Sequence, residues 1–151
     1  YSDHLLAFTR AVLRLKGGKS ETSAPPFRRW ALQRLRQRHS KLLQQIRKAD
    51  LFDPVERHQV RIEAKKLRYA LDFLASLWPP EQLAACAGAL AQAQDLLGAM
   101  NDIVTAQTLL STAPKGGADR LQATLGEHMA ESAAHLPAVL KALKKAPVPW
   151  K

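Results

Sequence analysis

The chain has 151 residues, of which 46% are hydrophobic and 24% charged, and its net charge is +10 at pH 7. This size and composition are typical of one globular domain, so we predict a single domain over residues 1–151. The sequence has no uninterrupted apolar run of about 18 residues, so we expect no membrane span. Its single cysteine, Cys86, excludes an internal disulfide and is expected to be a small buried residue.

The positive charge is concentrated in one part of the chain. Residues 28–68 contain 13 Lys or Arg and 4 Asp or Glu, a net charge of +9, and the rest of the chain contributes +1. A positive field this localised predicts an acidic partner, which is nucleic acid, another polyphosphate or an anionic membrane.

The spacing of apolar residues predicts helices along the whole chain. The predicted helices span residues 2–16, 27–49, 54–77, 80–110 and 118–145, with loops at 17–26 and 111–117 and a tail at 146–151. No segment alternates apolar and polar residues with the period of a strand. We therefore predict an all-α fold, an antiparallel bundle of long helices.

The predicted helix at 54–77 has the best-defined start. Asp53 is a preferred N-cap residue, Pro54 suits the first helical position, and Glu56 can complete a capping box with Asp53. The helix should end near Leu77, because Trp78 is followed by two prolines.

At about 100° per residue, this helix divides into an apolar face and a cationic face. The apolar face carries Val60, Ala64, Leu67, Leu71, Leu74 and Trp78. The opposite wedge, about 80° wide, carries His58, Arg61, Lys65, Arg68 and Asp72. From His58 to Arg68 the row is about 15 Å long. Such a length favours a polyanion over a single small anion.

The preceding helix, predicted at 27–49, carries a second cationic line. Arg34, Arg38 and Lys41 lie beside its apolar stripe, either as a solvated flank or as a row that matches the first one. His39 falls inside the apolar stripe, which favours a packed, hydrogen-bonded histidine over a ligand-binding one.

The helix predicted at 80–110 mixes amides with apolar residues on one face, including Gln94 and Asn101. Buried amides need partners, so we expect this face to meet another helix's polar groups or a polar cavity. Gly98 costs about 1 kcal/mol relative to Ala in mid-helix, and a close helix–helix approach would explain its presence.

Catalytic and metal-binding motifs are missing. The sequence has no Glu-x-x-His pair, no zinc signature, no Gly-rich phosphate loop and no nucleophile elbow. Asp95 and Asp102, seven residues apart, are too weak a signal for general acid–base catalysis. We therefore predict a binding module rather than an enzyme, with no catalytic residue, metal or cofactor.

Two motifs one helix apart resemble those of a known family. The first runs from His58-x-x-Arg61 through Lys65-Lys66-Leu67-Arg68-Tyr69, and the second runs from Gln94-Asp95 to Asn101-Asp102. Together they resemble the CHAD domain, the conserved-histidine α-helical domain. The resemblance covers residues 28–110.

The resemblance implies two pseudo-symmetric helical bundles that flank a basic channel for inorganic polyphosphate. It also implies a cytoplasmic protein associated with polyphosphate granules, with a CYTH-type triphosphatase domain as a fused or separate partner. The residues expected to bind polyphosphate are His58, Arg61, Lys65, Lys66, Arg68 and Tyr69, joined by the line Arg34, Arg38 and Lys41. Asn101 and Asp102 receive an orienting role, in which Asp102 holds an Arg, Lys or His in place.

The sequence departs from the family pattern in one respect. Family members usually carry two His-x-x-Arg-like motifs, and this chain has one, at His58. It therefore resembles the C-terminal half of such a domain. A missing N-terminal half or a second copy is expected to complete the channel.

The expected function is non-catalytic binding of polyphosphate, with affinity rising at mildly acidic pH because His58 gains a proton. Nucleic-acid binding is the main alternative, although Trp30 and Phe52 are the only aromatic residues in the basic stretch. A second alternative is an accessory module of a triphosphate or polyphosphate hydrolase, which would need clustered carboxylates for Mg²⁺. A helical scaffold with solvated charge is a third.

Overall fold

The structure, a computed structural model, describes residues 24–112 and 118–150. These residues form four α-helices, α1 (Ala24–Lys48), α2 (Pro54–Phe73), α3 (Pro80–Ser111) and α4 (Ala118–Lys145), with a 3-10 turn at Ala75–Leu77. No strand occurs within these two ranges, and the all-α prediction is confirmed. The helix predicted at 2–16 and the loop residues 17–23 lie outside the described residues.

The chain divides between Ala31 and Leu32 into two units. Of the first unit the structure describes the opening turns of α1, where the rings of Phe27 and Trp30 stack at 5.8 Å between centroids. The second unit contains the rest of α1 and the other three helices, and it holds the candidate site. The single domain over residues 1–151 stays a prediction.

Two helix boundaries differ from the predicted ones by more than one residue, and proline explains both. Helix α1 begins at Ala24, so that Pro25 and Pro26 occupy its first turn, where the missing N–H groups have no helical partner to lose. Helix α2 ends at Phe73 rather than Leu77. The chain tightens into the 3-10 turn before Trp78, which is extended at φ −135° and ψ 153° because Pro79 follows it.

The start of α2 is fixed by its cap. The Asp53 carboxylate accepts a hydrogen bond from the Val55 N–H at 2.9 Å, as expected of an N-cap residue. The predicted capping box is wrong, because Glu56 accepts from the Asp50 N–H at 2.6 Å instead of from Asp53. The Asp53 N–H is already engaged, since it donates to the Asp50 carbonyl at 3.1 Å.

A buried arginine holds the loop before α2. The Arg57 guanidinium donates to the carbonyl of Leu51 at 3.0 Å and to that of Phe52 at 3.4 Å. Burial lowers the pKa of Arg57 from its ordinary value, and the charge of Asp53 opposes that shift. Arg57 is therefore a structural cation, and its side chain is not free for a ligand.

The second unit is built on α3, which packs against both α2 and α4. Contacts from His58 to Asn101 and from Arg68 to Gln94 show that α2 and α3 run antiparallel. The six residues between α3 and α4 require an antiparallel pair as well. The core draws on all four helices, with Leu35, Leu42, Ile46, Val60, Leu67, Leu71, Leu90, Leu97, Met100, Leu136, Leu140 and Leu143 buried.

The tail packs onto α1 through its tryptophan. Trp150 is 2% exposed, its carbonyl accepts a hydrogen bond from the Arg36 guanidinium, and its ring meets that of His39 edge to face at 5.7 Å. His39 is thus in ring contact inside the unit. Cys86 is also buried, and burial raises the pKa of its thiol to about 11, in keeping with an unreactive cysteine.

Because the cap sets where α2 begins, removing it should weaken the helix that carries the cationic face. Replacing Asp53 with Ala should lower the free energy of unfolding by about 1 kcal/mol, measured by urea denaturation. Asp95→Ala is the matched control, since Asp95 is exposed in mid-helix and alanine is the better helix former. Equal destabilisation by the two changes would contradict the capping role.

Candidate anion-binding site

Helix α2 carries cations on both sides of its buried stripe. On the side that faces α3 lie His58, Arg61 and Arg68, and Lys65 lies on the same flank of α2. We call these four residues the amide-backed row. On the side that faces α1 lies Glu63 with Lys66 and two cations of α1, Arg38 and Lys41, which we call the Glu63 cluster. At about 100° per residue, Glu63 is roughly opposite the middle of the row.

Two members of the row are held by amide side chains of α3. The Arg68 guanidinium donates to Gln94 Oε1 at 2.9 Å, and His58 Nδ1 lies 3.2 Å from Asn101 Oδ1. These contacts are the polar partners that the sequence predicts for the amides of this helix. Both partners are uncharged, so they orient the two side chains without neutralising them.

Arg61 lies across Gly98 of α3, between the two amide contacts. A Cβ atom built at Gly98 would stand 3.7 Å from Arg61 Nε and 4.0 Å from its Nη2. The sequence predicts that another helix approaches Gly98 closely, and the structure adds that the Arg61 guanidinium is what lies over the glycine. Again the neighbour is neutral.

Lys65 and Tyr69 lie at the outer edge of the row. The Lys65 ammonium is 5.6 Å from the centroid of the Tyr69 ring, a cation–π distance, and both side chains are exposed. The tyrosine ring is 54% exposed. Tyr69 therefore lies beside the row with its ring accessible to solvent and in cation–π contact with Lys65.

Among the described residues, one acid forms an ion pair with the row, and it is exposed. Asp72 Oδ2 is 3.9 Å from Arg68 Nε, one turn along the same helix. Exposed ion pairs of this type are screened by water and salt and contribute little. Asp102, for which an orienting role is predicted, is exposed and forms no ion pair or hydrogen bond with a described residue. It follows Asn101 by one residue and so points about 100° away from α2.

The Glu63 cluster differs because its cations share a carboxylate. Glu63 is 6% exposed, and its Oε1 lies 2.9 Å from Lys66 Nζ and 3.2 Å from Lys41 Nζ, while Arg38 Nη1 is 4.0 Å from Oε2. Burial by itself raises the pKa of Glu63, but hydrogen bonds and charge from Lys66 and Lys41 outweigh it. The pKa therefore lies below its ordinary value of 4.5.

Sequence reasoning missed Glu63, although a signal was present. It is the one acid between Arg57 and Arg68, and it stands three residues before Lys66, the spacing of a helical ion pair. Which neighbouring helix it faces could not be read from α2 alone.

The structure separates the predicted binding residues into two groups. It brings His58, Arg61 and Arg68 together on the α3 side, and it places Lys66, Arg38 and Lys41 around Glu63 on the α1 side. Arg34, further along α1, is exposed and donates to Gln37 at 3.4 Å. The line on α1 therefore does not extend the row on α2.

This geometry favours anion binding at the row over the cluster. A buried carboxylate at 2.9–3.2 Å, as Glu63 is for Lys66 and Lys41, offsets much of a cation's field. The exposed Asp72 at 3.9 Å is screened by water, and an amide adds no charge at all. Among the described residues, no three His, Cys, Asp or Glu side chains are grouped so as to hold a metal ion. The site thus offers cationic hydrogen-bond donors in a line.

The fold and the row together define an α-helical bundle with an open cationic face. The model of the CHAD domain family matches residues 1–111, which is more than half of the chain. The chain belongs to the CHAD domain family, as its two motifs predict. The match extends to residue 1, beyond the 28–110 segment in which the motifs lie.

Comparisons with curated proteins and with solved structures returned no significant match. Within the described ranges, no helix is both long enough and apolar enough to cross a membrane.

The Glu63 cluster makes a prediction about stability and pH. Because the pKa of Glu63 is lowered in the folded protein, its stabilising effect should be present at neutral pH and lost as the pH falls below 4.5. Replacing Glu63 with Gln should lower the free energy of unfolding at pH 7 by about 1–2 kcal/mol and flatten its dependence on pH between about 5 and 3.

Chemical denaturation at several pH values measures both effects. Glu127→Gln is the matched control, since Glu127 is exposed on α4 and has no ion pair with a described residue. If the two variants had the same pH profile, the cluster would not be the source of the pH dependence.

Proposed function

We propose that this chain binds inorganic polyphosphate along the amide-backed row and catalyses no reaction on it. The observation that carries the proposal is that His58, Arg61 and Arg68 of α2 are backed by neutral groups of α3 rather than by acids. The membership of the CHAD family, which is linked to polyphosphate binding, supports the same ligand.

The row suits a chain of phosphates better than one phosphate. Its ends, His58 and Arg68, are ten residues apart, which is about 15 Å along the helix. A single phosphate could contact one or two of the four side chains, whereas a polyphosphate could contact all of them. Each neutralised phosphate would also release condensed counterions, which favours binding at low salt.

The side chains of the row offer different kinds of contact. The guanidinium groups of Arg61 and Arg68 can each donate two parallel hydrogen bonds to a phosphate, and Lys65 acts as a point charge. His58 meets Asn101 through Nδ1, so Nε2 is the nitrogen left for a ligand. In the tautomer that donates to Asn101, Nε2 needs a proton before it can donate to a phosphate.

Lys66, Arg38 and Lys41 receive a secondary role in this proposal. They add to the long-range field that attracts a polyanion, but the carboxylate of Glu63 lies within 4.0 Å of each of them and offsets part of their charge. An association with polyphosphate granules and with a CYTH-type triphosphatase domain, which the family resemblance implies, belongs to the same proposal. So does a second wall supplied by an N-terminal half or by another copy.

Nucleic acid is the second candidate ligand, and one observation favours it. Tyr69 and Phe73 are 54% and 52% exposed and lie one helical turn apart, and the Tyr69 ring lies beside Lys65. Exposed aromatic rings beside cations can stack on the bases of a single strand. The experiment must therefore compare the two polyanions directly.

A competition titration at fixed salt tests the proposal. Long-chain polyphosphate should displace single-stranded and double-stranded DNA at matched charge concentration. Arg61→Ala and Arg68→Ala should each weaken polyphosphate binding about tenfold and reduce the slope of log K against log salt by about 0.7. Helicity and melting temperature should stay nearly unchanged, since neither side chain is in the core.

Arg38→Ala and Lys41→Ala are the matched controls, since each also removes one positive charge. They should weaken binding about twofold through the long-range field alone. Tighter binding of DNA would overturn the choice of ligand. Equal losses from Arg38→Ala and Arg61→Ala would overturn the choice of face.

A further inference from the structure

The contact between Gln94 and Arg68 has a feature that the rest of the row lacks. Gln94 Oε1 accepts the hydrogen bond from Arg68 at 2.9 Å, but its Nε2 is buried and has no hydrogen-bond partner among the described residues. The orientation of the amide is not ambiguous, because arginine only donates and must meet the oxygen. The other end of the amide is thus left with an unpaired donor.

An unpaired buried donor is unfavourable. A carboxylate would not remove this cost, because its second oxygen would be buried in the place of Nε2, just as Glu63 Oε2 is buried without a hydrogen-bond partner among the described residues. Glutamate at this position has the same length, carries no N–H group and would form a stronger, charge-assisted bond to Arg68. The strength of the bond to Arg68, taken alone, therefore favours an acid at position 94. The same α2 helix shows that acids do serve this purpose, because Glu63 holds Lys66 and Lys41 in that way.

We propose that Gln94 is a positioning residue that orients Arg68 for the polyanion while leaving its charge uncompensated. The inference rests on the proposed function and adds a requirement for neutrality on the α3 side. Gln94, Gly98 and Asn101 follow one another at spacings of four and three residues, so they share one face of α3. That face presents no charge to Arg68, Arg61 or His58.

The contact with the neutral face also determines which nitrogens of the Arg68 guanidinium can bind a phosphate. The hydrogen bond to Gln94 occupies one nitrogen, Nη1, and the nearest acid, Asp72, stands 3.9 Å from Nε and is exposed. Nη2 and the outer edge of the guanidinium remain for phosphate oxygens. A glutamate at position 94 would hold Arg68 in the same orientation but would offset its positive charge, so Arg68 would attract a phosphate less strongly.

Gln94→Glu and Gln92→Glu form the test pair, because each adds one negative charge to α3. Gln92 is exposed and lies about 200° around the helix from Gln94. The probe is inorganic polyphosphate of defined length, titrated at several salt concentrations. Gln94→Glu should weaken binding about tenfold and lower the salt slope by about 0.7. Gln92→Glu should weaken it about twofold, with the slope unchanged.

Gln94→Ala separates orientation from charge. It should weaken binding about threefold, since Arg68 is no longer held, but keep the salt slope of the wild type, since no charge is added. Thermal melting accompanies each titration and shows whether each variant keeps its fold. If Gln94→Glu melts at a lower temperature than the wild type, the Gln94→Ala variant decides the question. A salt slope equal to that of the wild type supports the inference, and a reduced salt slope overturns it.

The outcomes separate this inference from the proposed function. If the wild type does not bind polyphosphate, the proposed function fails and the inference fails with it. If the wild type binds and the two glutamate variants behave alike, the inference about Gln94 fails and the proposed function stands.

Discussion

Everything in this structure that bears on function depends on how positive charge is held beside a buried helix face. A cation next to the core needs an acceptor to fix its position, and that acceptor can be an acid or a neutral group. Helix α2 uses both, on opposite sides. Glu63 fixes Lys66 and Lys41 and cancels much of their charge, whereas Gln94 and Asn101 fix Arg68 and His58 and cancel none of it. One flank therefore stabilises the bundle, and the other remains available to an anion.

This division requires α2 to keep a fixed rotation about its axis. The Asp53 cap and the buried Arg57 hold the start of the helix, and the apolar stripe from Val60 to Leu71 packs in the core. With the rotation fixed and α3 antiparallel, three side chains of one flank, those of His58, Arg61 and Arg68, fall opposite neutral groups of α3. A small rotation would bring Arg61 away from Gly98. The local structure at the start of α2 thus sets the electrostatics of the whole face.

Much of this could be predicted from the sequence, because helix boundaries and faces depend on local spacing. The bounds of α3 and α4, the N-cap at Asp53, the cationic row and the need of Gln94 and Asn101 for polar partners all follow from periodicity and caps. Glu63 could not be placed, because its partners Arg38 and Lys41 belong to another helix. The partner of Glu56 and the exposed position of Asp102 likewise depend on where neighbouring backbone lies.

The most direct measurement of the central claim is an NMR titration that follows arginine side chains as inorganic polyphosphate is added. The Nε–Hε signals of Arg61 and Arg68 and the side-chain amide signals of Gln94 and Asn101 should shift first and by the largest amounts. The Nε–Hε signal of Arg38, beside Glu63, should shift later and less. Shifts that begin at Arg38, or that spread evenly over all arginines, would contradict a binding face defined by neutral partners.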